Sequence, residues 1–438
     1  MKNRDLRYGG TTADTKELNA IVSSVRNSIA TGNWQAGEET KKFEKEAAKF
    51  LGVTHGILTT SGSCAGLLAL AALELPKGSE VIIPAVTFPT IFNIILQCGL
   101  VPVVVDVDEH YVLNTDVLEQ SISPKTKAII AVHALGYPCD MPVIMEVAAK
   151  YDLRVIEDNC DGWGSAIGKK KLGSWGDISI TSFHGAHIVS TAGVGGGVFT
   201  NDSELAKNVR VYKDWGRQAD TNKPNEYSSL PPDYNPRFIY EKIGYNFQAL
   251  ELQAAMGRIQ LKRSNEIKRL RKKNAGYLIK KLSVIPYLRL PLPPENYDIC
   301  WFSLPITTVG ERGPLVKWLE DHGIETRSMF SGNVTRHPAY ANIKYRVGAG
   351  GLAYSDYVMS QSFWITVHPR LTRSDKDYIV KVFYDYFEEN DRGAEAHGVP
   401  STQGLGFKEP GKKKGLHEGL LCRPGKQGKE KRKLQKKD

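Results

Sequence analysis

A chain of 438 residues, 41% hydrophobic and 24% charged, has the composition of an ordinary globular protein and the length for two domains. No apolar run comes near the ~20 residues of a membrane helix, and the start, "MKNRDLRYGG", lacks the apolar stretch of a secretory signal, so a cytoplasmic protein is expected. The net charge of +10 does not mark a nucleic-acid-binding fold, because residues 391–438 hold 13 Lys/Arg against 6 Asp/Glu and supply +7 of it.

In chain order, short β-branched runs alternate with helical patterns from about residue 55 to 200. "HGILTTS", "EVIIPAV", "VPVVVDVD", "KAIIAVHAL", "LRVIEDN" and "DISITSF" read as buried strands, with "AGLLALAAL" and "MPVIMEVAAKY" as helices between them. Strands this apolar predict a mostly parallel sheet covered on both faces, an α/β fold whose ligands gather at the carboxyl ends of the strands. A basic helix over about 249–283 then leads to "WFSLPITT", "LVKWLEDHG" and "DYIVKVFYDYFEE", which suit a smaller α+β domain. The expected division is a large domain over 1–260, a small domain over 261–390 and a basic tail over 391–438. The tail is rich in Gly, Pro and Lys and reads as disordered. The six cysteines, Cys64, Cys98, Cys139, Cys160, Cys300 and Cys422, show neither a CxxC pair nor metal-ligand spacing with histidines, so free thiols and no metal site are expected.

The strand ends carry the chemistry. "TTSGSCAGLLAL" sets Gly62 and Ser63 between a strand and a helix, where glycine admits a close backbone approach and the free N–H groups of a helix start can hold a phosphate. "RVIEDNC" ends in Asp158, and a carboxylate there is costly unless it meets a cation. A pyridinium nitrogen would satisfy it, and capping of the next turn is the alternative. "DISITSF" delivers Ser182, a further phosphate contact, and His187 follows five residues on.

Through "TTSGSCAGLLAL", "VIIPAVTFPT", "VDVDE", "IEDNCDGWGS", "GSWGDISITSFHGAH", "GGGVFTND", "DWGR" and "IGYNFQALELQAAMGRIQL", collinear over about residues 10–388, the chain resembles the DegT/StrS-type sugar-nucleotide aminotransferases. These are pyridoxal-phosphate enzymes of fold type I. The resemblance implies that Phe88 stacks on the cofactor ring and Asp158 pairs with the pyridine nitrogen. It makes Gly62, Ser63 and Ser182 phosphate contacts, and it has Asn246 reach in from a second subunit, so that a homodimer shares two sites.

Where that family carries a Schiff-base lysine, this chain has His187. Imidazole cannot form the stable imine, but it can move a proton near neutral pH. Lys169, Lys170 and Lys171, in a hydrophilic turn before the strand, read as surface residues and not as a displaced lysine. A lysine-to-histidine change marks the nucleotide-sugar 3-dehydratases of this family, and "SGNVTRHPAY", "KYRV" and "QSFWITVHPRLT" are similar to the 4-keto-6-deoxyhexose 3-dehydratases. That resemblance implies pyridoxamine phosphate held without a covalent bond, a nucleotide-linked 4-keto-6-deoxyhexose as substrate, a glutamate-type amino donor and His187 as the base. It also makes Arg327 and Arg336 candidates to hold the diphosphate or sugar, with a surface salt bridge as the alternative for each.

Two departures stand out. Relatives with an iron–sulfur cluster carry cysteines just after "DWGR", whereas "QADTNKPNEYSSLPPDYNPR" has none, so no cluster is expected. The turn after His187 reads "AGVGGG", with Val194 where relatives have an acid, so an acidic group is lost close to the base. Two other readings stand beside dehydration: an aminotransferase using the same cofactor, and a protein that binds cofactor or sugar nucleotide without turnover.

Overall fold

The computed structural model describes residues 6–7, 9–10, 12–218, 227 and 229–396. Its large sheet is built from β1 (His55–Thr59), β2 (Glu80–Pro84), β3 (Val101–Val105), β4 (Thr126–Val132) and β5 (Arg154–Asp158), then, after the short hairpin β6 (Ala166–Ile167) and β7 (Lys170–Lys171), β8 (Ile178–Ser182) and β9 (Gly196–Thr200). The strand order is β1-β9-β8-β5-β4-β2-β3-β14, the last strand being Arg346–Val347. Neighbours from β8 through β5, β4, β2 and β3 to β14 are parallel, and β9 alone runs against its two neighbours.

Period-2 side-chain alternation explains why both faces are covered. On β2, Val81 and Ile83 join a core with helices α3 (Gly62–Ala72), α4 (Pro89–Gln97) and α6 (Ser203–Lys213), while Ile82 joins the opposite core with α5 (Met141–Tyr151). Near β1 and β9, Leu58 and Phe199 pack instead on Phe43, Ala47 and Leu51 of α2 (Glu38–Leu51). Ahead of these elements, α1 (Thr15–Thr31) lies along α7 (Glu251–Leu282).

The second unit is a four-stranded antiparallel sheet in the order β10-β12-β15-β13, made of Leu288–Arg289, Leu304–Thr308, Ser362–Ile365 and Thr326–Ser328. The helices α8 (Arg312–Asp321), α9 (Ala353–Gln361) and α10 (Arg373–Ala396) accompany it, and β11 (Tyr297–Asp298) pairs with β6. The expected cut at residue 260 falls inside α7, a single 32-residue helix shared by both units. Other strand contacts also cross the division: β14 closes the large sheet, Leu6 bridges to Ile324 and Val86 to Asn333. Helix α10 runs six residues into the segment expected to be disordered, and the rest of 391–438 lies outside the described residues. Among the described residues no helix is long and apolar enough to cross a membrane.

Candidate active site

A cavity of about 390 Å³ opens at the carboxyl ends of β1, β2, β5 and β8. Six of the residues singled out from the sequence line it: Gly62, Ser63, Phe88, Asp158, Ser182 and His187. Ser61 caps α3 by accepting from the Cys64 N–H at 3.1 Å, and the first turn of a helix leaves its N–H groups without intrahelical acceptors, so those of Gly62 and Ser63 remain for a ligand. Glycine is required at 62, because a Cβ there would come 2.8 Å from the Cβ of Ser182. Ser63 Oγ also lies 2.9 Å from Thr90 Oγ1, which places two more hydroxyls at the same helix start.

Asp158 is 7% exposed, with one oxygen accepting from the Cys160 N–H at 3.1 Å. Burial raises its carboxyl above the ordinary carboxylate range, and the hydrogen bonds from Cys160 oppose the shift without cancelling it. Phe88, at the start of α4, is 59% exposed, so much of its ring is open.

His187 sits in a loop pinned to its own stem. Phe183 donates to Gly195 O at 2.9 Å, Thr191 to Phe183 O at 2.9 Å, and His187 to His184 O at 2.9 Å. Gly195 has φ +157° and Thr191 Oγ1 only 2.0 Å from where a Cβ would stand, so this stem admits no larger residue. The imidazole Nε2 of His187 faces Asp161 Oδ1 at 3.4 Å, while its Nδ1 is buried without a partner. The ring of Phe302 lies 5.3 Å from that of His187. Behind it the fully buried Arg271 of α7 donates to the Phe302 carbonyl at 2.6 Å. His184, whose ring is 6.0 Å from His187, is held below the usual histidine range by burial and then by that neighbour.

Several expectations need correction. Arg327 and Arg336 do not line the cavity: Arg327 pairs with Glu325, and Arg336 holds Asp356 with Nε 2.8 Å from Oδ1, so both stand in ion pairs at or near the surface. Lys169 and Lys170 are exposed as expected, whereas Lys171 is partly buried, donating to the Phe50 carbonyl with its ammonium 4.0 Å over the Phe50 ring. None approaches His187, and among the described residues no lysine lines the cavity. The Val194 side chain is 53% exposed and its carbonyl is tied to Thr191 and Gln253, while the carboxylate that faces the base is that of Asp161. Asn246 is exposed and lies outside the cavity of its own chain. The stretch after "DWGR" lies in part outside the described residues.

Sequence reasoning missed Asp161 and the small-unit aromatics Phe302, Phe330 and Trp364, all of which line the cavity. Asp161 had a signal, since it follows the strand-terminal Asp158 by three residues. The aromatics come from three separate segments with none.

A family model described as the DegT/DnrJ/EryC1/StrS aminotransferase family matches residues 15–384. The chain belongs to this family. It is 39% identical to the lipopolysaccharide biosynthesis protein RfbH of Salmonella typhimurium over 87% of this chain and 91% of that one. It is 37% identical to the dTDP-4-dehydro-2,6-dideoxy-D-glucose 3-dehydratase of Saccharopolyspora spinosa over 87% and 86%. Among solved structures, the E. coli GDP-4-keto-6-deoxy-D-mannose-3-dehydratase with bound hydrated PLP superposes with a TM-score of 0.79 at 27% identity, covering 86% of this chain and 99% of that one.

The residues present fit pyridoxal phosphate or its amine. The glycine cradle at 62, with the hydroxyls of Ser63 and Ser182, suits a phosphate. Asp158 offers a buried anion for a pyridine nitrogen, and Phe88 an open ring face.

Proposed function

We propose that this chain is a pyridoxamine-phosphate-dependent 3-dehydratase of a nucleotide-linked 4-keto-6-deoxyhexose, acting in deoxysugar biosynthesis. One observation carries the reading: the residue at the reactive end of the cavity is a histidine facing a carboxylate, in a cavity that no lysine lines among the described residues. When bound, the amine form of the cofactor would supply a nucleophile for a ketone and, once a base has taken a proton from its methylene carbon, a conjugated system that delivers the electron pair needed to expel an adjacent hydroxyl.

The protein's part is to hold and to move protons. Gly62, Ser63 and Ser182 bind phosphate, Asp158 binds the pyridine nitrogen, and Phe88 covers one ring face. The imidazole, with Nε2 beside Asp161 and Nδ1 buried, is the group that moves the proton, and the carboxylate orients its ring. Having accepted a proton, His187 can return it to the departing 3-hydroxyl. Phe302, anchored by Arg271, keeps water from one side of the imidazole.

A glutamate-type donor restores the amine, and no iron–sulfur cluster takes part. Asn246 completes the site of a second copy. The apolar surface around it supports that role, since Trp215, Phe238, Tyr240 and Ile243 are 44%, 54%, 53% and 95% exposed.

The test is incubation with pyridoxamine phosphate, glutamate and a panel of nucleotide-linked 4-keto-6-deoxyhexoses, read by mass spectrometry. A product lighter by one oxygen supports the reading. An amino sugar returns the chain to the aminotransferases, and no turnover on the whole panel, despite cofactor binding, favours a role in binding alone.

A further inference from the structure

A second chamber of about 510 Å³ adjoins the active cavity and shares His184 and Ala186 with it. Ala186 is the chain neighbour of His187, so a sugar held at the base lies beside the shared wall. Across the chamber runs an N-terminal strap. Leu6 is tied to the small unit by donating to Gly323 O at 2.8 Å and accepting from the Glu325 N–H at 3.3 Å, and His368 Nε2 lies 2.9 Å from Gly10 O. His368 Nδ1 accepts from the Arg370 N–H at 3.2 Å, which leaves Nε2 as the nitrogen that donates to Gly10. After the Leu6 anchor, Arg7, Gly9 and Gly10 line the chamber, and Gly9 lies so close to the 183–195 loop that an added Cβ would stand 3.4 Å from the Cβ of Ala186.

The chamber suits an anion. Ser190 lines it and is 1% exposed, yet its Oγ has no hydrogen-bond partner among the described residues. An orphaned buried hydroxyl carries a desolvation cost that an acceptor on a ligand would offset. Arg7 adds a guanidinium, whose planar fork matches phosphate oxygens, and Gly185 and Gly193 present bare backbone that a ligand can approach closely. Glu325, the one carboxylate among the described lining residues, is paired with Arg327, which offsets its charge. Size selects the anion. The active cavity, about 390 Å³, is at the small end of the ~300–1,000 Å³ of small-molecule sites, and the cofactor with a hexose fills it. The rest of a nucleotide-linked sugar, its diphosphate and nucleoside, has to lie beyond the cavity wall, and the adjoining chamber is the larger of the two.

Resting on the dehydratase reading, we infer that this chamber takes the nucleoside diphosphate of the substrate, with Ser190 and Arg7 holding its phosphates. The test is calorimetric titration of the protein loaded with pyridoxal phosphate, using GDP, dTDP, UDP and CDP, none of which carries a sugar, and separately glutamate. Wild type is expected to bind at least one of the four. Ser190→Ala should weaken the tightest of them about 3- to 10-fold and Arg7→Gln about 10-fold or more, with pyridoxal phosphate binding unchanged in both. Because the hydroxyl is unmatched in the empty chamber, cofactor-free Ser190→Ala should melt no lower than wild type, which separates loss of a ligand contact from loss of structure. Unchanged nucleotide affinity in either variant, no binding of any of the four by wild type, or weakened glutamate binding in place of weakened nucleotide binding overturns the assignment. The two readings fail separately: variants that lose nucleotide affinity in a protein that makes no deoxygenated product keep the chamber and remove the dehydratase, and a deoxygenated product beside unchanged nucleotide affinity does the reverse.

Discussion

Replacing Asp158 by asparagine should change stability and cofactor affinity in opposite directions. In the empty site the carboxyl is buried, and its pKa is raised by desolvation against hydrogen bonds from Cys160. A raised carboxyl pKa means that the folded chain binds more protons than the unfolded chain. Stability therefore falls as pH rises from the unfolded value of about 3.9 through the folded one, and the loss is complete above it. At neutral pH, Asp158→Asn removes that cost while its amide oxygen still accepts from the Cys160 N–H, so the cofactor-free protein should gain at least about 1 kcal/mol and melt higher. The same change deletes the anion for a pyridinium nitrogen, a charge-assisted hydrogen bond of about 1.5–3 kcal/mol, or roughly a 10- to 150-fold loss of cofactor affinity. Thermal melts with and without pyridoxal phosphate, together with a fluorescence titration, measure both. A variant that melts lower without cofactor and binds it as tightly as wild type would refute the account of Asp158 as a group whose cost only the ligand offsets.

His187→Asn should abolish dehydration while pyridoxamine phosphate binds within about threefold of wild type, because the imidazole is no part of the phosphate or pyridine contacts; spectrophotometric titration and product mass separate the two. Asp161→Asn should lower the turnover number about 10- to 100-fold with little change in substrate affinity, since it frees the imidazole ring without removing it, and a loss confined to KM would contradict the role given to Asp161. His187→Lys beside Asp161 should hold its new amine as an ammonium, so its borohydride-fixable link to pyridoxal phosphate should form more slowly at pH 7 than in the His187→Lys, Asp161→Asn double variant. His368 is pushed down to about 4 by burial and then by the Arg271 charge, so the folded chain binds fewer protons than the unfolded one. Stability should be complete above about pH 6.5 and fall by up to about 3 kcal/mol as pH drops toward 4, and His368→Gln should flatten that slope in acid denaturation.

The cofactor side of this site was legible because parallel strands bring their last residues to one edge, so apolar runs ending in Gly62, Asp158 and Ser182 announce a shared location. The partner of the base was harder to read. Asp161 meets His187 across 26 residues of chain, and its place depends on how the 183–195 loop folds back on its stem, which short-range patterns do not encode. The aromatic wall was invisible for a stronger reason: Phe302, Phe330 and Trp364 look like ordinary core residues in sequence, and only the docking of the small unit turns them to a cavity. Arg327 and Arg336 stand in ion pairs with Glu325 and Asp356 inside the small unit, although arginine alone suggests phosphate binding. The boundary at residue 260 falls inside α7, a helix that serves more than one core by packing on α1 and α2 and on α10.

The loop around His187 shows how a family can change chemistry without changing its frame. Its stem is fixed by backbone hydrogen bonds between Phe183, Thr191 and Gly195, and none of these involves the side chain at 187. The turn is carried by the left-handed positions Ala192 and Gly193, which leaves Val194 exposed and β9 in register with β8. Side chain 187 is therefore free to differ while the strands that deliver Asp158 and Ser182 stay where they are. What a histidine needs and a covalently bound lysine does not is a group to orient its ring, and that group comes from another element, at the end of β5. The base and its orienting carboxylate thus belong to separately anchored parts of the chain, so a change at 187 alone moves the reaction only as far as Asp161 permits.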